Sequence, residues 1–271
     1  MSLPAAGLSR ARYGSQTLHA EWTKLRTLAS TGRLLLAVAV LTVAVSAAAD
    51  ASATCQPVGR QTDPAKLSLT GVQAGQAIVA VLAILAISNE YSTAMIRVTL
   101  TAMPRRLTVL AAKAALVAGL VLAAAAVAVL ASVLAGRLIL PGHGFTATHG
   151  YPALSLVHGP ILRAACGSVL YLTLIALLSL GVATAVRESA VAIGLVLGLL
   201  YVFPVVTSVI ANQHWQRHLE QVGPMTAGLD IQATVNLSSL PLTPWEGLGV
   251  LALWAAGALI LGALMFRFRD A

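Results

Sequence analysis

The residues able to do chemistry are few, and their spacing argues against catalysis. Nine acids, six histidines and two cysteines are spread over 271 residues. The acids do not pair for general acid–base work. No Gly-x-x-x-x-Gly-Lys-Ser/Thr phosphate loop, Gly-x-Ser-x-Gly elbow or His-Glu-x-x-His zinc helix is present. His143, His149 and His158 fall in a Gly/Pro-rich stretch at spacings that fit no ligand motif, so no metal site is expected. Cys55 and Cys166 are read as incidental small apolar residues, with a disulfide as the alternative if both face an oxidising compartment. The chain is therefore not expected to be an enzyme. What stands out is one cluster, Asn89-Glu90-Tyr91 through Arg97 to Pro104-Arg105-Arg106, closed by Lys113. Its chemistry is that of a contact surface: an apolar face made by Tyr91, Ala94, Met95 and Val98, flanked by cations.

The elements around that cluster are membrane spans. Apolar residues make up 58% of the chain, charged residues only 10%, and mean hydropathy is +0.85. A soluble domain carries roughly 25% charge. Helical spans need about 20 apolar residues each, and charge-poor runs of that order give six, at about 31–50, 68–89, 112–136, 163–186, 189–212 and 246–266. The sequence thus predicts an all-α integral membrane protein of one transmembrane domain over 1–271. A signal peptide is the competing reading of 34–47, but the preceding 33 residues, with Glu21 and Trp22, favour a retained span. Only Arg60, Lys66, Arg137, Arg163 and Arg217 of the 17 basic residues fall on the second side. The positive-inside rule then puts both termini in the cytoplasm. The basic balance suits an anionic leaflet. It does not suit nucleic acid, because the charges sit at span ends and track no groove.

Within this frame 15–30 reads as an amphipathic interfacial helix, with Leu18, Trp22, Leu25 and Leu28 on one stripe and Glu21 at its edge. The segment 90–108 is a cytoplasmic loop with a short helix that Pro104 ends. The segment 212–246 is an outer re-entrant or cap loop, marked by Trp215, Met225 and Trp245. Gln73 and Gln76 share a face of the second span and either line a substrate path or pack against a neighbour. Gly194 and Gly198 form a small-xxx-small pattern that joins two helices or two copies of the chain. Pro204 is expected to kink the fifth span. The charge-free windows leave no intramembrane acid or base, so an energy source outside the spans is expected.

Glu90-Tyr91-x-x-Ala94-x-Ile96-Arg97-x-x-Leu100, followed by Pro104-Arg105-Arg106 and Lys113, resembles the first cytoplasmic loop of type-2 ABC exporter permeases. The opening Glu21-Trp22-Thr23-Lys24-Leu25-Arg26 and the ending Arg267-x-Arg269-Asp270-Ala271 are similar to that family as well. Ala94 stands where members often carry Gly. The resemblance implies a cytoplasmic-membrane exporter of two permeases, identical or related, and two separate ATP-binding subunits that hold ATP and Mg. It implies that 15–30 is a connecting helix, that 93–100 lies in a coupling helix, and that Glu90, Tyr91, Ile96, Arg97, Leu100, Arg105, Arg106 and Glu21 face the ATPase. Arg187 and Glu188 would make a second contact. A secondary transporter or channel, or an immunity or signalling subunit, is the alternative. The cargo is not legible.

Overall fold

The computed structural model describes residues 29–54, 62–92, 106–146, 151, 154, 159–210 and 212–268. The connecting-helix segment to residue 28 and the segment 93–105 lie outside the described residues, and with them Glu21, Ile96, Arg97, Leu100 and Arg105. For Glu90, Tyr91 and Arg106 only the helical backbone is described.

Every regular element among the described residues is helical. In a bilayer the backbone must satisfy its own hydrogen bonds, and a helix does so within one segment. Among the described residues six helices are long and apolar enough to cross a membrane: Thr31–Ser52, Pro64–Ser88, Leu107–His143, Gly159–Val186, Ser189–Val209 and Pro244–Met265. The chain is an all-α, multi-pass membrane protein.

Its elements are α1 (Ala29–Ser52), a short α2 (Pro64–Ser68), α3 (Gly71–Ser92), α4 (Arg106–Ile139) and α5 (Gly159–Val186). They continue with α6 (Ser189–Leu197), a π-helical turn (Gly198–Val202), α7 (Phe203–Val209), α8 (Gln213–Val222), α9 (Pro224–Leu229) and α10 (Pro244–Phe268). The fifth span is thus α6, the π turn and α7 in series. Its irregular turn directly precedes Pro204, which offers no N–H to Leu200 and crowds that carbonyl, so the ladder re-spaces there.

Helix α5 is the axis of the bundle. It packs against α3, α4, α6 and α10, and 67% of its most apolar window is buried, against 22% for the first, fifth and sixth spans. Its Ser and Thr hydroxyls turn back on their own helix. Ser168 donates to Ala164 O at 2.8 Å, Thr173 to Val169 O at 2.9 Å, Ser179 to Ile175 O at 2.7 Å and Thr184 to Leu180 O at 2.7 Å. Polar atoms inside the bundle are silenced in this way at small cost in helix geometry. Helices α5 and α10 touch backbone to backbone at Gly181 and Gly262. A Cβ on Gly181 would lie 2.5 Å from Ala258 C, and one on Gly262 would lie 2.7 Å from Gly181 O.

Two sequence expectations need correction. Helix α1 runs on to Ser52, so Asp50 lies inside the first helix and is fully buried. Helix α4 begins at Arg106, so Lys113 lies inside it, 3% exposed. The spans therefore do hold an acid and a base. At 34 residues α4 is about 51 Å long, well beyond a 30 Å hydrocarbon core, so it extends past the apolar slab.

Candidate functional site

Among the described residues, the helix caps and turns gather at the two ends of the bundle. At one end α3 finishes, α4 begins, and Arg187–Glu188 alone connects α5 to α6. Arg187 closes α5 with φ 65°, a left-handed conformation unusual for a side chain of its size, and its N–H reaches Ala183 O at 2.9 Å. Glu188 is extended and caps α6: Oε1 accepts from Ala190 N–H at 3.2 Å and Oε2 from Val191 N–H at 3.1 Å. The turn is short because the cap and the left-handed residue reverse the chain at once. Arg187 is half-buried and Glu188 exposed. Lys113 Nζ donates to Ala86 O at 2.9 Å, tying the start of α4 to α3. Arg187, Glu188, Lys113 and the helix ends at Ser92 and Arg106 thus share one end of the molecule. Ile96, Arg97, Leu100 and Arg105 lie outside the described residues.

The opposite end is closed by residues 212–243, which fold as α8, α9 and two 3-10 turns, Asp230–Gln232 and Leu237–Ser239. Ile231 is fully buried and sits where a Cβ on Gly167 of α5 would be, 2.0 Å from its Cγ1. Gln232 Nε2 donates to Ser168 Oγ at 3.0 Å. The Asp63 carboxylate caps α2 by accepting from Ala65 N–H and Lys66 N–H, both at 3.1 Å. It also accepts from the Thr234 N–H, the Thr234 hydroxyl at 2.7 Å and Val235 N–H at 3.2 Å. Arg163 donates to Ala233 O. This cap is a plug fixed at several points. Asp230, at its rim, is pushed up to about 6 by burial, with Lys66 opposing the shift and Glu220 adding to it.

Gln73 and Gln76 lie under that plug. Gln76 is fully buried; its Oε1 accepts from the Tyr171 hydroxyl and its Nε2 donates to Met225 Sδ at 3.3 Å. The Gln73 backbone carbonyl accepts from the Tyr201 hydroxyl. The pair therefore belongs to a polar knot joining α3, α5, the π turn and the cap. In this conformation Gln76 is sealed from solvent and packs rather than lining an open path.

Gly194 and Gly198 make no close approach among the described residues, since a Cβ on either would meet nothing within 4 Å. The reading that they join two helices of one copy is not what the fold shows; Gly181 and Gly262 do that. An apolar groove of about 510 Å³, lined by Leu178, Val182, Leu195, Leu199, Trp254 and Leu261, opens between α5, α6 and α10. Cys166 is exposed and unbonded, while Cys55 lies outside the described residues.

One constellation was missed from sequence. Thr42, Ser46 and Asp50, spaced by four on one face of α1, are all fully buried. Gly71 N–H donates to Ser46 Oγ at 3.1 Å, and Ser68 Oγ donates to Asp50 Oδ1 at 3.1 Å. A Cβ on Gly136 of α4 would lie 3.0 Å from Asp50 Oδ2. Asp50 Oδ2, Thr42 Oγ1 and Ser132 Oγ are buried with no hydrogen-bond partner among the described residues. The four-residue spacing was a usable signal, but the strictly charge-free run of the first span, 34–49, ends one residue short of Asp50.

Among the described residues no group of three His, Cys, Asp or Glu comes together as a metal cage. No protein-family model matches the chain, and no curated protein is similar to it in sequence.

Proposed function

We propose that the chain is the membrane-spanning permease subunit of an ATP-driven exporter in the cytoplasmic membrane, paired with a second permease and driven by separate ATP-binding subunits. The observation that carries this reading is the shared end described above. There two hydrophobic hairpins, α3 to α4 and α5 to α6, meet, and one of them turns through a half-buried, left-handed Arg187 and an exposed Glu188. Strain of this kind is retained where the surroundings over-determine it, often at contact sites. A push on that end acts directly on α5, the helix that touches nearly every other. Rigid helices joined in this way turn a partner's closure into rocking of the bundle. The Glu90–Arg106 segment, by its resemblance, is the other half of the contact.

The test is to replace Glu90 and Arg97 with alanine, and separately Glu188. The expected result is that the ATP-binding subunit is lost from the purified complex, or that hydrolysis continues without transport, while the permease still inserts. Unchanged assembly and transport would remove the assignment.

A second reading, an ion-coupled transporter, draws on one observation: the buried Asp50 carboxyl with an unpartnered oxygen, since ionisable groups inside spans commonly mark ion paths. It sits one turn or less from the end of α1, at the cap end, which is shallow for a coupling site. Transport that persists without ATP and fails in Asp50→Asn would favour this second reading.

A further inference from the structure

His214 and His218 lie one turn apart on α8, both exposed, on the outer surface of the cap. Their rings meet edge to face with centroids 4.4 Å apart and an interplanar angle of 87°. Their Nε2 atoms approach to 3.1 Å. Two neutral imidazoles can share a single proton at that distance, one donating and one accepting. The same separation suits a shared metal ion. Metal–imidazole bonds of about 2.0–2.1 Å at tetrahedral or square angles put the two nitrogens about 2.8–3.4 Å apart.

We propose that His214 and His218 form an open binding site for a late first-row divalent transition-metal ion, with Cu2+ bound most strongly in keeping with the general affinity order. The protein supplies two nitrogens on a rigid helix. The neighbouring polar pair on α8, Gln216 Nε2 to Glu220 Oε1 at 3.1 Å, is engaged with itself. Water or a soluble ligand therefore completes the coordination shell, and the ion exchanges freely. Binding staples one turn of α8. That helix is anchored at its far end, where Trp254 Nε1 donates to Val222 O at 2.9 Å, and it leads into α9, whose Met225 contacts Gln76. An ion at the surface of the cap therefore stiffens the plug over the polar knot. The proposal does not depend on the exporter reading.

The experiment is Cu2+ titration of the full chain, purified in detergent without a histidine tag, followed by paramagnetic resonance and calorimetry. The wild type is expected to bind one ion at this site with hyperfine structure from two nitrogens. His214→Ala and His218→Ala should each show one nitrogen and about 100-fold weaker binding, because the second imidazole acts at high effective concentration. His143→Ala, at the exposed 3-10 turn Leu140–His143, should bind as wild type does. His214→Gln with His218→Gln keeps two polar helix residues and should lose the site while unfolding at the wild-type temperature. Wild-type binding no tighter than either single variant would overturn the proposal, as would two-nitrogen binding that persists in the double variant.

Discussion

Alanine at Gly181 should damage this bundle, whereas alanine at Gly194 should not. The added Cβ at Gly181 would sit 2.5 Å from Ala258 C, 2.6 Å from Leu259 N and 2.7 Å from Ala258 O, all of them backbone atoms that no rotamer change can move. Carbon contacts are at rest near about 3.5–4.0 Å, so α5 and α10 must separate by about 1 Å. A gap of that size forfeits a quarter to a half of each contact along the interface. Overpacking of this kind costs about 1–3 kcal/mol. Because backbone blocks the relaxation and α5 is the central helix, about 2–3 kcal/mol is expected for Gly181→Ala. Gly262→Ala presses on the same gap through Gly181 O and should cost about as much, and the double variant should fall short of the sum. Gly194→Ala and Gly198→Ala meet nothing within 4 Å and should stay within about 0.5 kcal/mol. Unfolding by sodium dodecyl sulfate titration from mixed micelles, followed by tryptophan fluorescence, reads these differences. A wild-type midpoint for Gly181→Ala, or an equal loss in Gly194→Ala, would refute the packing argument. A Gly194→Ala chain that keeps its midpoint but loses self-association would assign that glycine pair to the interface between copies.

Tyr171→Phe leaves the buried Gln76 Oε1 without its donor and should cost about 1–3 kcal/mol, most of it recovered when Gln76→Leu is added; the same titration checks it. Asp63→Ala removes every bond that the carboxylate makes to α2 and to Thr234 and Val235. It should expose 212–243 to protease while the spans stay protected, measured by limited proteolysis and mass spectrometry. Asp230 has a folded pKa of about 6 against an ordinary 3.8, so the native state holds the extra proton and stability falls as pH rises from about 4 to above 6. The loss should be about 1–2 kcal/mol after solvent screening, and Asp230→Asn should flatten it; unfolding midpoints between pH 4 and 8 would show this.

The number and approximate placement of the spans were legible because each is a long apolar run, and in a bilayer such a run has one stable form. The buried charges were not legible. A window that ends at every acid or base treats charge as a boundary, yet Asp50 and Lys113 are tolerated inside helix ends, where Ser68 and the Ala86 carbonyl reach them. Close packing within the chain was not legible for a related reason. Gly194 and Gly198 match a spacing on their own helix, but only the position of α10 shows that Gly181 and Gly262 are glycines that need to be small. The seat of Ile231 on Gly167 joins residues 64 apart, and no local pattern carries it. His214 and His218 have a helical four-residue spacing, but it brings the rings together only because 213–222 is a helix, which the cap reading of 212–246 did not specify.

The most direct measurement of the permease reading is mass spectrometry of the complex captured through this chain from its native membranes in mild detergent. It should contain a soluble subunit with a phosphate loop, equimolar with the permease, whose ATP hydrolysis responds to Glu188→Ala. A chain recovered without any ATP-binding subunit, yet still moving substrate in vesicles, would contradict it.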